Sequence, residues 1–316
     1  MGTAGLVRYA ITRPGPVIGA DEPLDPAVRR IAVSLTAGAI ADLRTAGDVD
    51  AAVHAARKKL KRARAIIRLV RDGTGRTPYR EINVVLRDSG RRLGAARDAA
   101  VLCATLDDLI AEHRELLAPD PFADTVAFLA ERHRTAVLLL DRQIISECIT
   151  ALGTARLRIG MYAGWRAPEA FSAIEPGIRR VYRRGMHGFR RAAHSRATPH
   201  LHEWRKRVKY LRYQMEALSD LNRPLIGAEA ATLDRLGETL GIDHDLSMLA
   251  SAVAAEPQAC RDERERWLLV ALAFAARTAR QQDAFRMGAA LYAERPRAFT
   301  DRIGGSWEAS GRALTA

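Results

Sequence analysis

"HEWRKRVKYLRY" (residues 202–213) packs a histidine and five cations into twelve residues, offset by a single acid, Glu203. "HAARKKLKRAR" (residues 54–64) repeats the arrangement. His54, Arg57, Lys58, Lys61 and Arg64 match His202, Arg205, Lys206, Lys209 and Arg212, each pair 148 residues apart. Five matches of type at one offset mark an internal repeat. At about 100° per residue, Arg57, Lys58, Lys61, Arg64 and Arg68 fall within ~120° of helix surface around His54. Val53, Ala56, Leu60, Ala63, Ile67 and Val70 take the other side. The second segment sets Trp204, Val208, Leu211, Met215 and Leu218 opposite its own cations. Both stretches therefore read as amphipathic helices with a cationic stripe, the first ~21 Å long. Like charges three and four apart repel by a few tenths of a kcal/mol per pair, a cost that a bound polyanion would remove.

The rest of the chain is equally helical in pattern. Long Ala/Leu/Arg/Glu-rich segments are cut at "RDGTGRTP" (71–78), "LAPDPF" (117–122), "GWRAPEAF" (164–171), "RATPH" (196–200), "LNRPLIG" (221–227) and "AAEPQ" (254–258). Each break holds Pro or Gly. The pattern predicts an all-α protein of roughly eight to ten helices. The repeat is wider than its basic helices. "AVRRI" (27–31) precedes His54 as "GIRRV" (177–181) precedes His202, and "LGAARD" (93–98) is answered downstream by "LGIDHD" (240–245). Two tandem helical half-repeats, about 23–160 and 168–290, imply a pseudo-twofold relating the two basic helices. Residues 1–22 read as a loose lead-in and 291–316 as a tail, with "RIGGSWEASGRALTA" (302–316) frayed.

Composition narrows the function. Hydrophobic content is 48% and formal net charge +13, so the chain is globular and suited to a polyanionic partner. Residues 54–71 and 179–212 together carry +19, which leaves −6 for everything else. The basicity is concentrated, not general. Cys103, Cys148 and Cys260 are odd in number and lack paired spacing, which fits a reducing cytosol. No signal-peptide pattern and no run of ~18 apolar residues is present, so the expectation is a cytoplasmic protein with no membrane partner.

The HxxRKxxKxxR pattern, twice, with Leu-Gly and an aspartate after each, resembles the CHAD family, the conserved histidine α-helical domain. The resemblance spans about residues 23–290. It implies two helical bundles related by a pseudo-twofold, with basic helix faces lining a central groove or pore. It also implies binding of inorganic polyphosphate and, in bacteria, association with polyphosphate granules. Carried over residue by residue, the site is His54, Arg57, Lys58, Lys61, Arg64, His202, Arg205, Lys206, Lys209 and Arg212. Arg29, Arg30, Arg179, Arg180, Arg183 and Arg184 are second contributors from neighbouring helices. Asp98 and Asp245 are expected to pair with arginines. No cofactor is implied.

Polyphosphate suits such a stripe, since it offers charge and no base edges or faces. Arg and Lys density with counterion release is enough to hold it. Nucleic acid is the chief alternative, attracted non-specifically to the same groove at low salt. Against it, no helix-turn-helix, RRM or zinc-finger pattern appears, and aromatics are only 6%, with Tyr213 and Tyr210 alone near the basic faces. A solvated helix face is the plain alternative for either stripe, and a capping or internally hydrogen-bonded role is the plain alternative for His54 and His202. Both stay open on sequence. For an enzyme, the nearest string to a triphosphate-hydrolase ExExK is "ERERW" (263–267), in helical context with Trp in place of Lys. A phosphate held at His54 by so many cations is as readily kept as transferred. "HLH" (200–202) and "DHD" (243–245) read as helix-start clusters before metal ligands. The expectation is a non-enzymatic module without a metal.

Overall fold

Short polar, proline or single-residue corners divide the chain into helices. They are α1 (Leu24–Arg44), α2 (Val49–Leu69), the single turn α3 (Arg71–Thr74), α4 (Arg76–Arg92), α5 (Gly94–Glu112), α6 (Ala123–Leu139) and α7 (Arg142–Met161). The second half holds α8 (Glu175–Ser195), α9 (Thr198–Leu218), α10 (Ala228–Ala255), α11 (Glu263–Leu291) and α12 (Pro296–Ala309). The computed structural model describes residues 15–19, 22–45, 47–74, 76–161 and 170–310, and among these no strand occurs. No helix among them is long and apolar enough to cross a membrane.

Eleven of these helices exceed one turn, against the eight to ten expected. The surplus comes from corners that lack proline: Leu93 alone separates α4 from α5, and only Leu140 and Asp141 separate α6 from α7. Conversely, "RDGTGRTP" is not an open loop. It forms α3 and the first turn of α4, where Pro78 lacks only an N–H that the helix would leave unpaired anyway. Most of "GWRAPEAF" lies outside the described residues. "ERERW" does open a helix, capped where Asp262 accepts from Glu265 N at 2.8 Å and Glu265 accepts from Arg261 N at 2.7 Å.

Two expectations for the ends are corrected. Residues 296–309 are a packed helix, not a frayed tail: Phe299, Ile303 and Trp307 are buried, and Phe299 stacks on Tyr182 of α8 at 4.1 Å. Part of the lead-in is likewise fixed. Ile18 is buried and its N–H donates to the Ala217 carbonyl at 2.7 Å, while Arg30 donates to Glu22 and to the Val17 carbonyl.

The apolar faces read from sequence are the ones that bury. Val53, Ala56, Leu60, Ala63, Ile67 and Val70 of α2, and Trp204, Val208, Leu211, Met215 and Leu218 of α9, lie in one large core. A second core joins α5 and α6 to α10 and α11 through Leu102, Leu106, Leu129, Leu246, Leu249 and Leu269. Between the halves, α2 crosses α9. Arg62 pairs with Glu216 at 3.0 Å, Gln214 donates to the Ala65 carbonyl at 3.4 Å, and Arg68 lies over Tyr210 at 4.2 Å. On the repeat offset of 148, Glu216 is the counterpart of Arg68 and Tyr210 that of Arg62. The two outer contacts thus exchange repeat positions across Ala65.

Candidate functional site

Helices α2, α9, α10 and α5 pack in sequence around a closed circuit, α2 on α9, α9 on α10, α10 on α5 and α5 on α2. The basic stripes of α2 and α9 come near one another where these helices pack. Lys61 feels Arg57, Arg205 and Arg97, and Lys209 feels Arg205 and Lys61. Residues separated by about half the chain are thereby brought within electrostatic reach, which a pair of independently solvated faces would not require.

Each of the two inner arginines lies against a glycine. A Cβ at Gly94 would come within 3.1 Å of Arg57 Nη1, and one at Gly241 within 3.4 Å of Arg205 Nη2. The missing Cβ at Gly94 therefore leaves room for Arg57, whereas at Gly241 a Cβ would make ordinary contact with Arg205. Arg57 also donates to the Gly90 carbonyl and faces Asp98 at 3.8 Å. Burial lowers the pKa of Arg205 and Asp245 works against that shift, so both aspartates do act on arginines. The reading of "DHD" (243–245) as a helix start fails here. Leu93-Gly94 turns the chain between α4 and α5, but Leu240-Gly241 and the following acids lie within the uninterrupted α10. In the second half the Leu-Gly pair is thus kept without a turn.

Lys61 is exposed to solvent, yet desolvation by surrounding protein, followed by Arg57 and Arg205, lowers its pKa to about 8. Accessible area and a desolvation penalty coexist where protein stands on several sides of a side chain without covering its tip. Lys209 is lowered to about 7 by burial first and then by Arg205 and Lys61. Burial also lowers His54 and His202, ahead of repulsion from their lysine and arginine neighbours. Neither histidine caps its helix: Asp48 caps α2, accepting from Asp50 N and Ala51 N, and His54 and His202 sit beyond the first turn. Nδ1 of His202 is buried without a hydrogen-bond partner, and its ring lies 4.5 Å from that of His244.

The remaining sequence candidates divide. Arg64 is desolvated and donates to the neutral Asn83 at 3.1 Å, whereas its counterpart Arg212 is held by Glu216 at 2.6 Å and by Asp234. Arg212 is thus largely neutralised within the fold. Lys58 is exposed, and Lys206 pairs with Glu203. Arg29 donates to the Gly160 carbonyl and to Asp25, Arg30 is held by Glu22, and Arg179 pairs with Glu175 at 3.1 Å. These three are engaged with their own surroundings. Arg180 is bidentate to Asp72, and Arg184 feels Arg207, Arg180, Arg68 and Arg71, so α8 does bring cations to the end of α2. Arg183 is exposed.

Two contributors were missed by spacing. Arg97 of α5 lowers His54 and Lys61, and His244 of α10, itself pushed down to about 4 by burial and then Arg205, faces His202. The signal was present: each stands three residues after its glycine and so shares that helix face. The would-be metal clusters split, since His202 and His244 face one another while their neighbours are engaged elsewhere. His200 contacts Arg191 and Ser195 at the α8–α9 corner, and Asp243 binds Arg277 at 3.1 Å. Among the described residues, no group of three or more His, Cys, Asp or Glu side chains could hold a metal ion.

The family model of the CHAD domain matches residues 31–254. The chain belongs to the CHAD family. Its CHAD match begins inside α1 and runs nearly to the end of α10, so all four helices of the circuit lie within it. The crystal structure of the CHAD domain from the plant Ricinus communis is similar in fold, with a TM-score of 0.59 at 21% identity, covering 91% of this chain and 98% of that one. Comparison with curated proteins gives no match.

Proposed function

We propose that this CHAD protein binds inorganic polyphosphate in the circuit of α2, α5, α9 and α10, without turning it over. The observation that carries this reading is the charge imbalance there. Arg57, Lys58, Lys61, Arg97, Arg205, Lys206 and Lys209 are set against Asp98, Asp245 and Glu203. Burial, and after it the neighbouring cations, lowers the basicity of two of these lysines. A chain of phosphates supplies the missing negative charge at close spacing, and Arg adds bidentate contacts to it. The proposed setting is the cytoplasm, at polyphosphate granules.

The aromatic side chains favour polyphosphate over single-stranded RNA or DNA. Tyr213 is only 5% exposed, and Tyr210 is already covered by Arg68 at 4.2 Å, leaving little ring surface for bases to stack on. The test is a mobility shift with polyphosphates of defined length, competed by RNA and by orthophosphate, over a salt series. Polyphosphate should win, and log K should fall linearly with log salt, by about 0.7 per phosphate contacted if it behaves as a single-stranded polyanion. Preference for RNA, or a flat salt dependence, overturns the reading. Hydrolysis of polyphosphate or nucleoside triphosphates that tracks the protein through purification overturns its non-enzymatic part.

A further inference from the structure

The two ends of the α2–α9 crossing are not electrically alike, although the repeat would make them so. At the α2 end, Arg64 and Arg68 continue the stripe beyond Lys61, and Arg184 and Arg180 of α8 and Arg207 of α9 join them. Asp72, paired with Arg180, and Glu203, 3.3 Å from Arg207, are the acids that pair with these five arginines. Arg184 makes no ion pair among the described residues, and Nε of Arg68 is buried without a partner. Arg68 stacks on Tyr210, which fixes the guanidinium plane and leaves its edge for an anion.

At the opposite end the counterparts are neutral or neutralised. Arg68 is replaced by Glu216 and Arg184 by Ser34, while Arg207 is replaced by Lys59, which is bound to Asp42. Arg212, the counterpart of Arg64, is held by Glu216 and Asp234, and Arg30, that of Arg180, by Glu22 at 2.6 Å. Every cation there has an acid, so a polyanion gains nothing by extending that way.

We propose that a polyphosphate chain seated among the central lysines extends out of the circuit in one direction only, over the arginines gathered from α2, α8 and α9, which form a second phosphate subsite. This rests on the polyphosphate reading above. Lys61 and Arg68 are seven residues apart on one helix face, a separation of ~10 Å along the axis. A long chain reaches both positions and gains by linkage; a three-phosphate chain does not.

The test compares tripolyphosphate with long-chain polyphosphate on the wild type, Arg184→Glu and Ser34→Glu. Both positions are exposed on helix surfaces, and circular-dichroism melting verifies that each variant folds. Arg184→Glu should weaken long-chain binding by about tenfold at low salt and flatten its salt slope by about 0.7 or more. Tripolyphosphate affinity should stay within about twofold, as should both ligands on Ser34→Glu. Unchanged long-chain binding by Arg184→Glu, an equal loss with tripolyphosphate, or an equal effect of Ser34→Glu overturns the one-sided subsite and leaves the central reading intact. A wild type that binds neither ligand overturns both. Arg184→Gln, which removes charge without reversing it, should give the same ranking with a smaller loss.

Discussion

Lys61 of α2 bears on Lys209 of α9: burial first, then Arg205 and Lys61, brings the Lys209 ammonium to a pKa of about 7, while Lys61 itself sits at about 8. The empty protein therefore sheds protons from these two sites, Lys209 first, as pH rises through 7 and 8. Phosphate favours the charged lysines and draws their protons back. Binding should take up protons between about pH 7 and 9, and affinity should fall as pH rises through that window. Calorimetry in buffers of differing ionisation enthalpy reads the uptake directly. Lys61→Arg with Lys209→Arg should flatten the profile, because guanidinium stays charged throughout. Affinity constant from pH 6.5 to 9 in the wild type would show that the lysines do not meet the ligand.

The same shift has a consequence for folding, of opposite sense. An unfolded lysine titrates at 10.5 and folded Lys209 at about 7, so between these values the unfolded chain holds more protons. Stability from this site rises with pH across that window, and below it the full cost of the crowded charge is present. Lys209→Met keeps the stem and removes the charge. It should raise the melting temperature by roughly 2–4 °C near pH 6.5, with the gain vanishing toward pH 10, while weakening ligand binding. A destabilised variant at pH 6.5 would mean that the ammonium stabilises the fold.

Lys58 and Lys206 test whether the halves share one ligand. Both stand at the same place in the repeat, and neither is buried in a core. Lys58→Glu and Lys206→Glu should each lower polyphosphate affinity by about tenfold at low salt, through lost counterion release and added repulsion. The double variant should bind short chains as poorly as long ones. A shift confined to one half would place the ligand on a single helix face.

Periodicity made the α2 and α9 faces legible, because an amphipathic helix writes its buried side at every third and fourth position and the offset of 148 repeats it. Neighbours are another matter. A helix wheel gives the direction of Arg212 but not Asp234 on α10 waiting for it, nor the Glu22 that holds Arg30 from the lead-in. The C-terminal stretch was misjudged for a similar reason. Gly304 and Gly305 argue against a helix locally, yet Phe299, Ile303 and Trp307 recur every four residues as a buried stripe, Phe299 on Tyr182 of α8 and Trp307 beside Phe171. Gly304 is itself useful there, since a Cβ would come within 3.0 Å of the Phe171 ring. Tertiary packing outweighed propensity.

Gly94 and Gly241 separate binding from stability most cleanly. Gly241 lies mid-helix in α10, where alanine is favoured by about 1 kcal/mol, so Gly241→Ala should hold or raise thermal stability. Its methyl would stand 3.4 Å from Arg205 Nη2, ordinary contact, and the guanidinium needs to shift little. At Gly94 the corresponding approach to Arg57 Nη1 is 3.1 Å, tight enough to displace the guanidinium from the Gly90 carbonyl and from Asp98. Gly94→Ala should therefore weaken polyphosphate binding more than Gly241→Ala, by several-fold against little change, with both variants folded. Titration of each variant with long-chain polyphosphate, beside melting curves, measures the two effects separately. Equal binding by all three proteins would mean that the arginines seated on these glycines brace the helices and leave the ligand to the lysines.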